Sequence, residues 1–374
     1  MPLGEEKHVG LLVEPLHGLD GRIMDGVARW VRGNPGWTVA VFEGNPGELA
    51  RLARRWKGDG MVCTLTSEQM QEAANSRNIP VVNVDGQALN HNTVSVVSDH
   101  PACARMALDH FQDRGFAHFC FIGNESDSDD LGTAFLSLCQ EQSIIPTSFE
   151  ATLGEEKQLA NWLTAQVRPL AILTSSDRQA SSVLEACHLA GIAVPEEIAV
   201  LGAGNNTQLC ELCTPALSSI DCDLEARGYE AASLLFQLMR GDARINGPIR
   251  IPPTSISTRR STDIYAFEDV DLSNALRFIH DHAHESIKVK DVLGATSISR
   301  RSLENRIRRH FSRSLHEEIW RVHFELAQKL LTTTDLGLQE VAERSGFRTA
   351  SALANLFKQK TGLTPRSYRA EHRR

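Results

Sequence analysis

The chain has 374 residues and a net charge of −8 at neutral pH. A chain of this length exceeds a single ordinary core and predicts two or three folded units. Its 41% hydrophobic and 23% charged residues match average soluble usage, and no run of about 18 apolar residues occurs, which excludes a membrane-spanning helix. Neither a basic leader nor an apolar segment opens the sequence, which predicts a cytoplasmic protein.

The charge is divided unevenly along the chain. Residues 264–374 carry 19 Lys and Arg against 14 Asp and Glu, whereas the residues before them carry 20 against 33. A basic tail behind an acidic body indicates that only the tail meets a polyanion such as DNA.

Short β-branched runs alternate with segments of helical periodicity over roughly the first two thirds of the chain. This order predicts crossover units and parallel sheets, and therefore an α/β fold. The predicted strands lie at residues 8–13, 38–42, 61–63, 81–84, 94–97, 118–122, 171–173 and 198–201.

Four segments of this part form an ordered set of landmarks. They are Asp99-His100-Pro101, Arg114-Gly115-Phe116-Ala117-His118, Ile198-Ala199-Val200-Leu201-Gly202 and Pro215-Ala216-Leu217-Ser218-Ser219-Ile220. In this order they resemble the sensor domain of LacI/GalR-type repressors. The resemblance implies a two-lobed periplasmic-binding-protein-like fold over residues 1–258, in which a small effector binds between the lobes and closes them.

Catalytic motifs are incomplete in the sequence. Residues 202–207 follow a strand as a dinucleotide-binding glycine loop does, but Thr207 interrupts the motif and no acidic partner completes it. Serine hydrolase and zinc protease patterns do not occur. Cys210 and Cys213 lack the second pair of a structural zinc site and are interpreted as packed thiols. We therefore predict that the protein is not an enzyme and uses no cofactor and no metal.

The C-terminal third is helical throughout, and a short helix followed by a turn and a capped helix is predicted at about residues 288–311. Ser299 can cap the second helix, along which Leu303 and Ile307 recur at a spacing of four and face the core. Arg301 and its polar neighbours then point outward. This arrangement is typical of a helix-turn-helix unit that lies in the major groove of DNA.

The same pattern returns at about residues 338–361. A helix over residues 338–344 ends at Ser345-Gly346-Phe347, where Gly346 fits the left-handed position that follows a helix. The next helix turns Leu353 and Phe357 inward. The sequence thus predicts two helix-turn-helix units in one all-α domain.

The segments that carry this double pattern are Ser299-Arg300-Arg301-Ser302-Leu303-Glu304, Ser345-Gly346-Phe347, Leu356-Phe357-Lys358 and Gly362-Leu363-Thr364-Pro365-Arg366-Ser367-Tyr368-Arg369. They resemble the AraC/XylS family of transcription regulators. The resemblance implies a DNA-binding domain over residues 272–374, after a polar connector at residues 259–271. Members of the family insert both recognition helices into successive major grooves, roughly 34 Å apart.

The resemblance also implies which side chains touch double-stranded DNA. Base contacts are expected from Arg301, Ser302, Asn305, Ser351, Ala354 and Asn355. Phosphate contacts are expected from Arg300, Arg306, Arg309, Arg348, Lys358 and Arg366. Asn305 and Asn355 stand where many relatives carry Arg, which favours adenine over guanine as the base they read.

A LacI-like sensor before an AraC-like reader is the domain order of XylR-like transcription regulators. The resemblance implies that a sugar, xylose or a related one, closes the sensor lobes and reorients the paired readers in a homodimer. The dimer would contact RNA polymerase and activate genes of carbohydrate uptake or catabolism.

An effector site of this kind needs carboxylates, amides and an arginine fork for sugar hydroxyls. Leu131, Ser176 and Gly204 stand where the sensor family places sugar contacts, so other groups must compensate. The candidates are Glu14, Asp20, Arg22, Asp85, Asp177, Arg178 and Asn205. Each unpaired buried polar group costs about 1 to 3 kcal/mol. The replacements therefore leave open the alternative that the sensor no longer binds sugar and serves as a dimerisation or protein-contact module.

Overall fold

The computed structural model describes residues 6–13, 21–64, 72–73, 76, 79–84, 94–123, 130–152, 154–241, 247–267 and 269–372. These residues divide into two compact units. The first unit comprises the described residues up to Gln112 and from Phe116 to Asp263, and the second comprises Asp113–Gly115 and the residues from Ile264 onward.

The described part of the first unit contains two six-stranded sheets, as the predicted two-lobed fold requires. In chain order its strands are β1 (Lys7–Val13), β2 (Trp37–Glu43), β3 (Gly60–Cys63), β4 (Val81–Asn83), β5 (Val94–Ser98), β6 (His118–Gly123), β7 (Thr147–Glu150), β8 (Leu170–Thr174), β9 (Ile198–Ala203), β10 (Ser218–Asp221), β11 (Ile249–Ile251) and β12 (Ser255–Ser257). All eight strands predicted from β-branched runs are among them.

The chain passes between the two sheets three times. The first sheet has the strand order β11-β5-β4-β3-β1-β2 and the second has the order β12-β10-β9-β8-β6-β7. Neighbouring strands run parallel, except that β12 is antiparallel to β10. Strands β3 and β8 are buried along their whole length, which explains their continuous apolar sequences.

Helices cover the sheets of the first unit. They are α1 (Gly21–Gly33), α2 (Pro46–Arg55), α3 (His100–Gln112), α4 (Asp130–Glu141), α5 (Glu156–Thr164), α6 (Asp177–Ala190), α7 (Thr207–Leu212) and α8 (Leu224–Arg240). Helices α1 and α8 approach most closely at Gly26 and Gly228, where an added Cβ atom would overlap the backbone of the opposite helix.

The segment predicted as the start of a polar connector packs against the second sheet. Arg260–Thr262 forms a short 3-10 helix, and Ser261 and Thr262 are fully buried. The Ser261 hydroxyl donates to the Val200 carbonyl at 2.6 Å. These polar side chains can be buried here because their hydroxyl groups form hydrogen bonds. The domain bounds at residues 258 and 271 remain predictions.

The second unit is helical. Its helices are α9 (Val270–Asp281), α10 (Val289–Leu293), α11 (Arg300–Phe311), α12 (Leu315–Thr333), α13 (Leu338–Arg344), α14 (Ala350–Thr361) and α15 (Pro365–His372). One apolar cluster gathers α9 to α11 and a second gathers α13 to α15. Helix α12 joins them, since Ile319 and Val322 lie in the first cluster and Ala327 and Leu331 in the second.

Candidate functional site

Helix α11 presents one buried and one exposed face, as its sequence predicts. The Ser299 hydroxyl caps it by accepting a hydrogen bond from the Ser302 amide at 3.3 Å. Leu303 and Ile307 are fully buried in the first apolar cluster. The helix is thereby fixed about its axis, and Arg301 and Asn305 are left exposed to solvent.

Helix α14 is built in the same way. The Thr349 hydroxyl accepts from the Ala352 amide at 3.1 Å, and Leu353 and Phe357 are fully buried in the second cluster. Ser351 and Asn355 are exposed. The second helix therefore offers solvent a face equivalent to that of the first.

The burial of side chains along α11 is repeated along α14 at an offset of 50 positions. The burial classes of residues 301–313 are repeated in residues 351–363 without a change. Each helix is followed by a residue with left-handed backbone, Ser312 with φ 54° and Gly362 with φ 74°. Two separate apolar clusters therefore hold the two helices in the same orientation about their own axes.

The residues predicted to contact bases lie on or beside the exposed faces. Arg301, Asn305, Ser351 and Asn355 are exposed, while Ser302 and Ala354 are half-buried at the margin of the face. Within the described part of the chain, no hydrogen bond or ion pair engages the side chains of Arg301, Asn305 and Asn355. These groups are therefore available to a ligand.

The residues predicted to contact phosphates fall into two groups. Arg300, Arg309, Arg348, Lys358 and Arg366 are exposed, although Arg300 also pairs with Glu304 at 2.8 Å. Arg306 differs, because it is half-buried and its guanidinium binds the Asp269 carboxylate. A phosphate contact from Arg306 would have to break this ion pair.

Arg308 is a basic residue that the sequence-based assignment omitted. It is exposed on α11 and stands 50 positions before Lys358, which was assigned to phosphate. The signal that could have identified it is the repeat itself, since Arg308 and Lys358 are equivalent positions with the same charge.

Polar side chains of the sensor meet where strands β8, β9 and β10 end. Asp177 begins the helix after β8, Asn205 follows β9, and Asp221 ends β10. Since carboxyl ends of parallel strands meet at one edge of a sheet, the three side chains are brought together. Sequence reasoning identified Asp177 and Asn205 but missed Asp221, because the strand that it ends, β10, was not among the predicted strands.

The Asp177 carboxylate is buried and fully engaged. One oxygen accepts from the Ser219 hydroxyl, and the other accepts from the Asn206 amide at 2.6 Å. Burial raises the pKa of Asp177 above its usual range, although the hydrogen bonds from Ser219 and Asn206 act in the opposite direction.

Asn205 lies between a carboxylate and a guanidinium. Its side-chain amide nitrogen is 3.4 Å from an Asp221 oxygen, and its oxygen accepts from Arg259 at 3.2 and 3.3 Å. Arg259 also donates to the Leu217 carbonyl at 2.9 Å and pairs with Glu211 at 2.7 Å. Sequence reasoning placed Arg259 in the connector, where nothing marked it as part of this cluster.

Arg22 reaches this cluster from the first lobe. It lies in α1, and its guanidinium donates to the Gly204 carbonyl and stands 4.0 Å from an Asp221 oxygen. Gly204 has φ 119°, a backbone angle that favours glycine. Arg22 thus bridges the two lobes.

The remaining effector candidates were Arg178, Glu14, Asp20 and Asp85. Arg178 is exposed on α6. Glu14, Asp20 and Asp85 lie outside the described residues. Of the replaced sugar-contact positions, Leu131 is buried and Ser176 caps α6 by accepting from the Gln179 amide at 3.2 Å.

The described residues contain no group of three or more metal-ligating side chains. No helix in this part of the chain combines the length and the hydropathy needed to cross a membrane.

Comparisons with known proteins match both units. A periplasmic binding protein-like domain is matched over residues 108–262 and a helix-turn-helix domain over residues 293–371. The xylose operon regulatory protein of Escherichia coli (strain K12) is 28% identical over 96% of this chain and 96% of its own length. That of Haemophilus influenzae is 28% identical over 83% of this chain and 84% of its own length.

Solved structures share the fold. The structure of the xylose-binding transcription activator xylR aligns over 100% of both chains, with a TM-score of 0.63 and 26% identity. A periplasmic binding protein/LacI transcriptional regulator from Alkaliphilus metalliredigens, complexed with D-xylulofuranose, covers 68% of this chain and 99% of its own, with a TM-score of 0.54 and 20% identity.

The chain is a transcription regulator in which a periplasmic-binding-protein-like sensor precedes a helix-turn-helix DNA-binding domain. Within this class it is similar to the xylose operon regulatory proteins, and the similarity runs through both domains.

Proposed function

We propose that the protein is an effector-gated transcription activator that recognises a specific DNA sequence with two helices and carries out no catalysis. The proposal rests on one observation, the matched pair of capped helices α11 and α14. Each turns a polar face with unengaged side chains to solvent, and each is held by its own core. Helices set in this way fit successive major grooves.

The proposed DNA contacts follow from the exposed faces. Arg301, Asn305, Ser351 and Asn355 would read base edges, with Ser302 and Ala354 beside them. The phosphates would be held by Arg300, Arg309, Arg348, Lys358 and Arg366, and by Arg306 once it leaves Asp269. Phosphate contacts of this kind position the helices, whereas the base contacts select the sequence.

The proposed effector site is the cluster of Arg22, Asp177, Asn205, Asp221 and Arg259 at the carboxyl ends of the strands. Ligands of open α/β sheets bind at this edge. Carboxylates, an amide and guanidinium groups are the partners that sugar hydroxyls use. The relatives regulate the xylose operon, and a sugar that bridges Arg22 to the second lobe would link binding to closure.

The alternative is a sensor that binds no sugar and acts as a dimerisation or protein-contact module. One observation favours it, since both oxygens of Asp177 and the side-chain oxygen of Asn205 already have partners within the protein. A polyol would have to replace these hydrogen bonds, and each group left unpaired costs about 1 to 3 kcal/mol.

Thermal unfolding in the presence of pentoses, hexoses and their phosphates separates these two functions. A saturating ligand raises the unfolding midpoint, because only the folded sensor binds it. We expect a rise with xylose or a related sugar, which Arg22→Ala should abolish. Arg32→Ala, at an exposed position of the same helix, is the matched control. No rise with any sugar would favour the alternative.

The proposal includes a homodimer that works in the cytoplasm and contacts RNA polymerase at promoters of carbohydrate uptake or catabolism genes. Its direct test is binding of the full chain to its own upstream promoter region against excess random DNA at moderate salt. We expect a clear preference for the promoter region. Equal affinity for both would contradict the proposed function.

A further inference from the structure

Asn305 and Asn355 occupy the same place in two different helices. Each lies six residues after the capping side chain, Ser299 or Thr349. Each stands midway between two fully buried residues of its own helix. The two carboxamides are therefore presented at the same height and the same rotation on their helices.

Both carboxamides are exposed and unengaged. Within the described residues no side chain or backbone group forms a hydrogen bond with either of them. In this respect both differ from Arg306 of α11, whose guanidinium is bound to Asp269. A free, exposed carboxamide at the centre of a recognition face can offer one donor and one acceptor together.

That pair of groups matches one base in the major groove. Adenine presents an acceptor at N7 and a donor at N6, so that a carboxamide binds it with two hydrogen bonds. Guanine presents two acceptors and instead matches a guanidinium. Equal placement of the two asparagines therefore means that each helix reads the same kind of base pair.

Helix α12 sets the separation of the two readers. It spans 19 residues, and its two ends lie in the two cores that hold α11 and α14. At about 1.5 Å per residue it is roughly 28 Å long. This length is close to the roughly 34 Å of one DNA turn, so that the two readers can reach neighbouring grooves on one face.

The neighbours of the two asparagines differ. Arg301 and Glu304 on α11 correspond to Ser351 and Ala354 on α14. The two helices therefore carry the same residue at the asparagine position and different residues at the positions around it. Base pairs beside the two matched positions must then differ between the two half-sites.

We infer that the operator contains two A·T base pairs about one helical turn apart, one read by Asn305 and the other by Asn355. This inference rests on the proposed function, because it requires that α11 and α14 are the base-reading helices. It adds which residues set the sequence and which base each of them selects.

The test is in vitro selection of binding sites from random DNA with the full chain and with two variants. The wild-type protein should enrich sites with A·T pairs about 10 base pairs apart. Asn305→Arg should change one of these pairs to G·C and leave the other unchanged, and Asn355→Arg should do the reverse. On the wild-type site each variant should lose roughly tenfold or more in affinity.

Gln359→Arg is the matched charge control. Gln359 is exposed on α14 and corresponds to Arg309, a position assigned to phosphate. The added charge should strengthen binding to all sequences without changing the selected bases. Asn305→Ala and Asn355→Ala, which add no charge, should each relax selection at one position only.

The outcomes separate the inference from the proposed function. A selected motif that keeps both A·T pairs with Asn305→Arg and Asn355→Arg would overturn the inference while DNA recognition stands. Failure of the wild-type protein to enrich any sequence would overturn both. Circular dichroism of the variants verifies that the helices are intact.

Discussion

Arg301 and Arg309 lie on the same helix but are proposed to contact different parts of a DNA duplex. Arg301 lies beside Asn305 at the centre of the exposed face, whereas Arg309 lies in the last turn, near the margin. A base contact distinguishes sequences, and a phosphate contact does not. The two arginines are therefore expected to contribute to DNA binding in different ways.

Arg301→Ala should weaken binding to the selected site by about 1 to 3 kcal/mol and relax specificity at one position. Arg309→Ala should weaken binding to all sequences and reduce the salt dependence of the affinity, because one phosphate contact is lost. Titrations on specific and random DNA at several salt concentrations measure both effects. If both variants lost the same affinity on specific and on random DNA, this result would contradict the role of Arg301.

His323 is a buried histidine in α12, close to the backbone of Gly346. Burial lowers its pKa to about 4, although the Glu285 backbone acts in the opposite direction. The unfolded chain binds the proton near pH 6.5, so that stability is complete above this pH and is lost as the pH falls toward 4. Acid therefore weakens the helical unit through this residue.

The expected loss from His323 between pH 7 and pH 5 is about 2 kcal/mol. Urea unfolding of the wild-type protein and of His323→Gln at both pH values measures it. The variant should lose less stability than the wild type over this range, because it no longer binds the proton. Parallel losses in the two proteins would show that His323 does not titrate in this window.

At the scale of elements, the packing of α1 on α8 depends on two glycines. Gly26 faces the Glu225 carbonyl of α8 and Gly228 faces the Ile23 carbonyl of α1. A methyl group at either position would overlap a backbone atom, which cannot move away as a flexible side chain would. The two helices can therefore approach this closely only because both positions lack a Cβ atom.

Gly228→Ala should destabilise the sensor by about 1 to 3 kcal/mol or more, because the helices must separate. Gly33→Ala is the control, since nothing lies within 4 Å of a Cβ atom at the end of α1. Thermal unfolding should show a lower midpoint for Gly228→Ala and little change for Gly33→Ala. The same midpoint for both variants would contradict the close packing.

The elements that sequence reasoning found were those with a strong pattern. Buried strands such as β8 and β9 are runs of apolar residues and were predicted within two residues of their observed ends. Strand β7 was not predicted, because it is a mostly exposed edge strand without an apolar run. Strands β10, β11 and β12, with the sequences SSID, IRI and SIS, were not predicted either, because none of them contains a run of apolar residues.

The exposed faces of α11 and α14 were predictable for a related reason. A period of 3.6 residues and a capping hydroxyl fix which side of α11 is buried, and the exposure of Arg301 and Asn305 follows. The pairing of Arg306 with Asp269 joins residues 37 positions apart. No local sequence pattern predicts such a contact, because it depends on how α9 and α11 pack against each other.

At the scale of the whole molecule, the two units have complementary compositions. Acidic residues outnumber basic ones in the sensor, and basic residues outnumber acidic ones in the DNA-binding domain. Sequence reasoning placed Asp177 and Asn205 in the effector site, since both follow strands. Arg259 lies far along the chain from both and joins them only through folding, and for that reason it was not foreseen.

The central claim is that α11 and α14 of one chain dock into adjoining major grooves. Hydroxyl-radical footprinting of the full chain on a selected site measures this most directly. We expect two protected windows for each bound chain, about 10 base pairs apart and on one face of the duplex. A single short window, or protection that does not depend on sequence, would contradict the account.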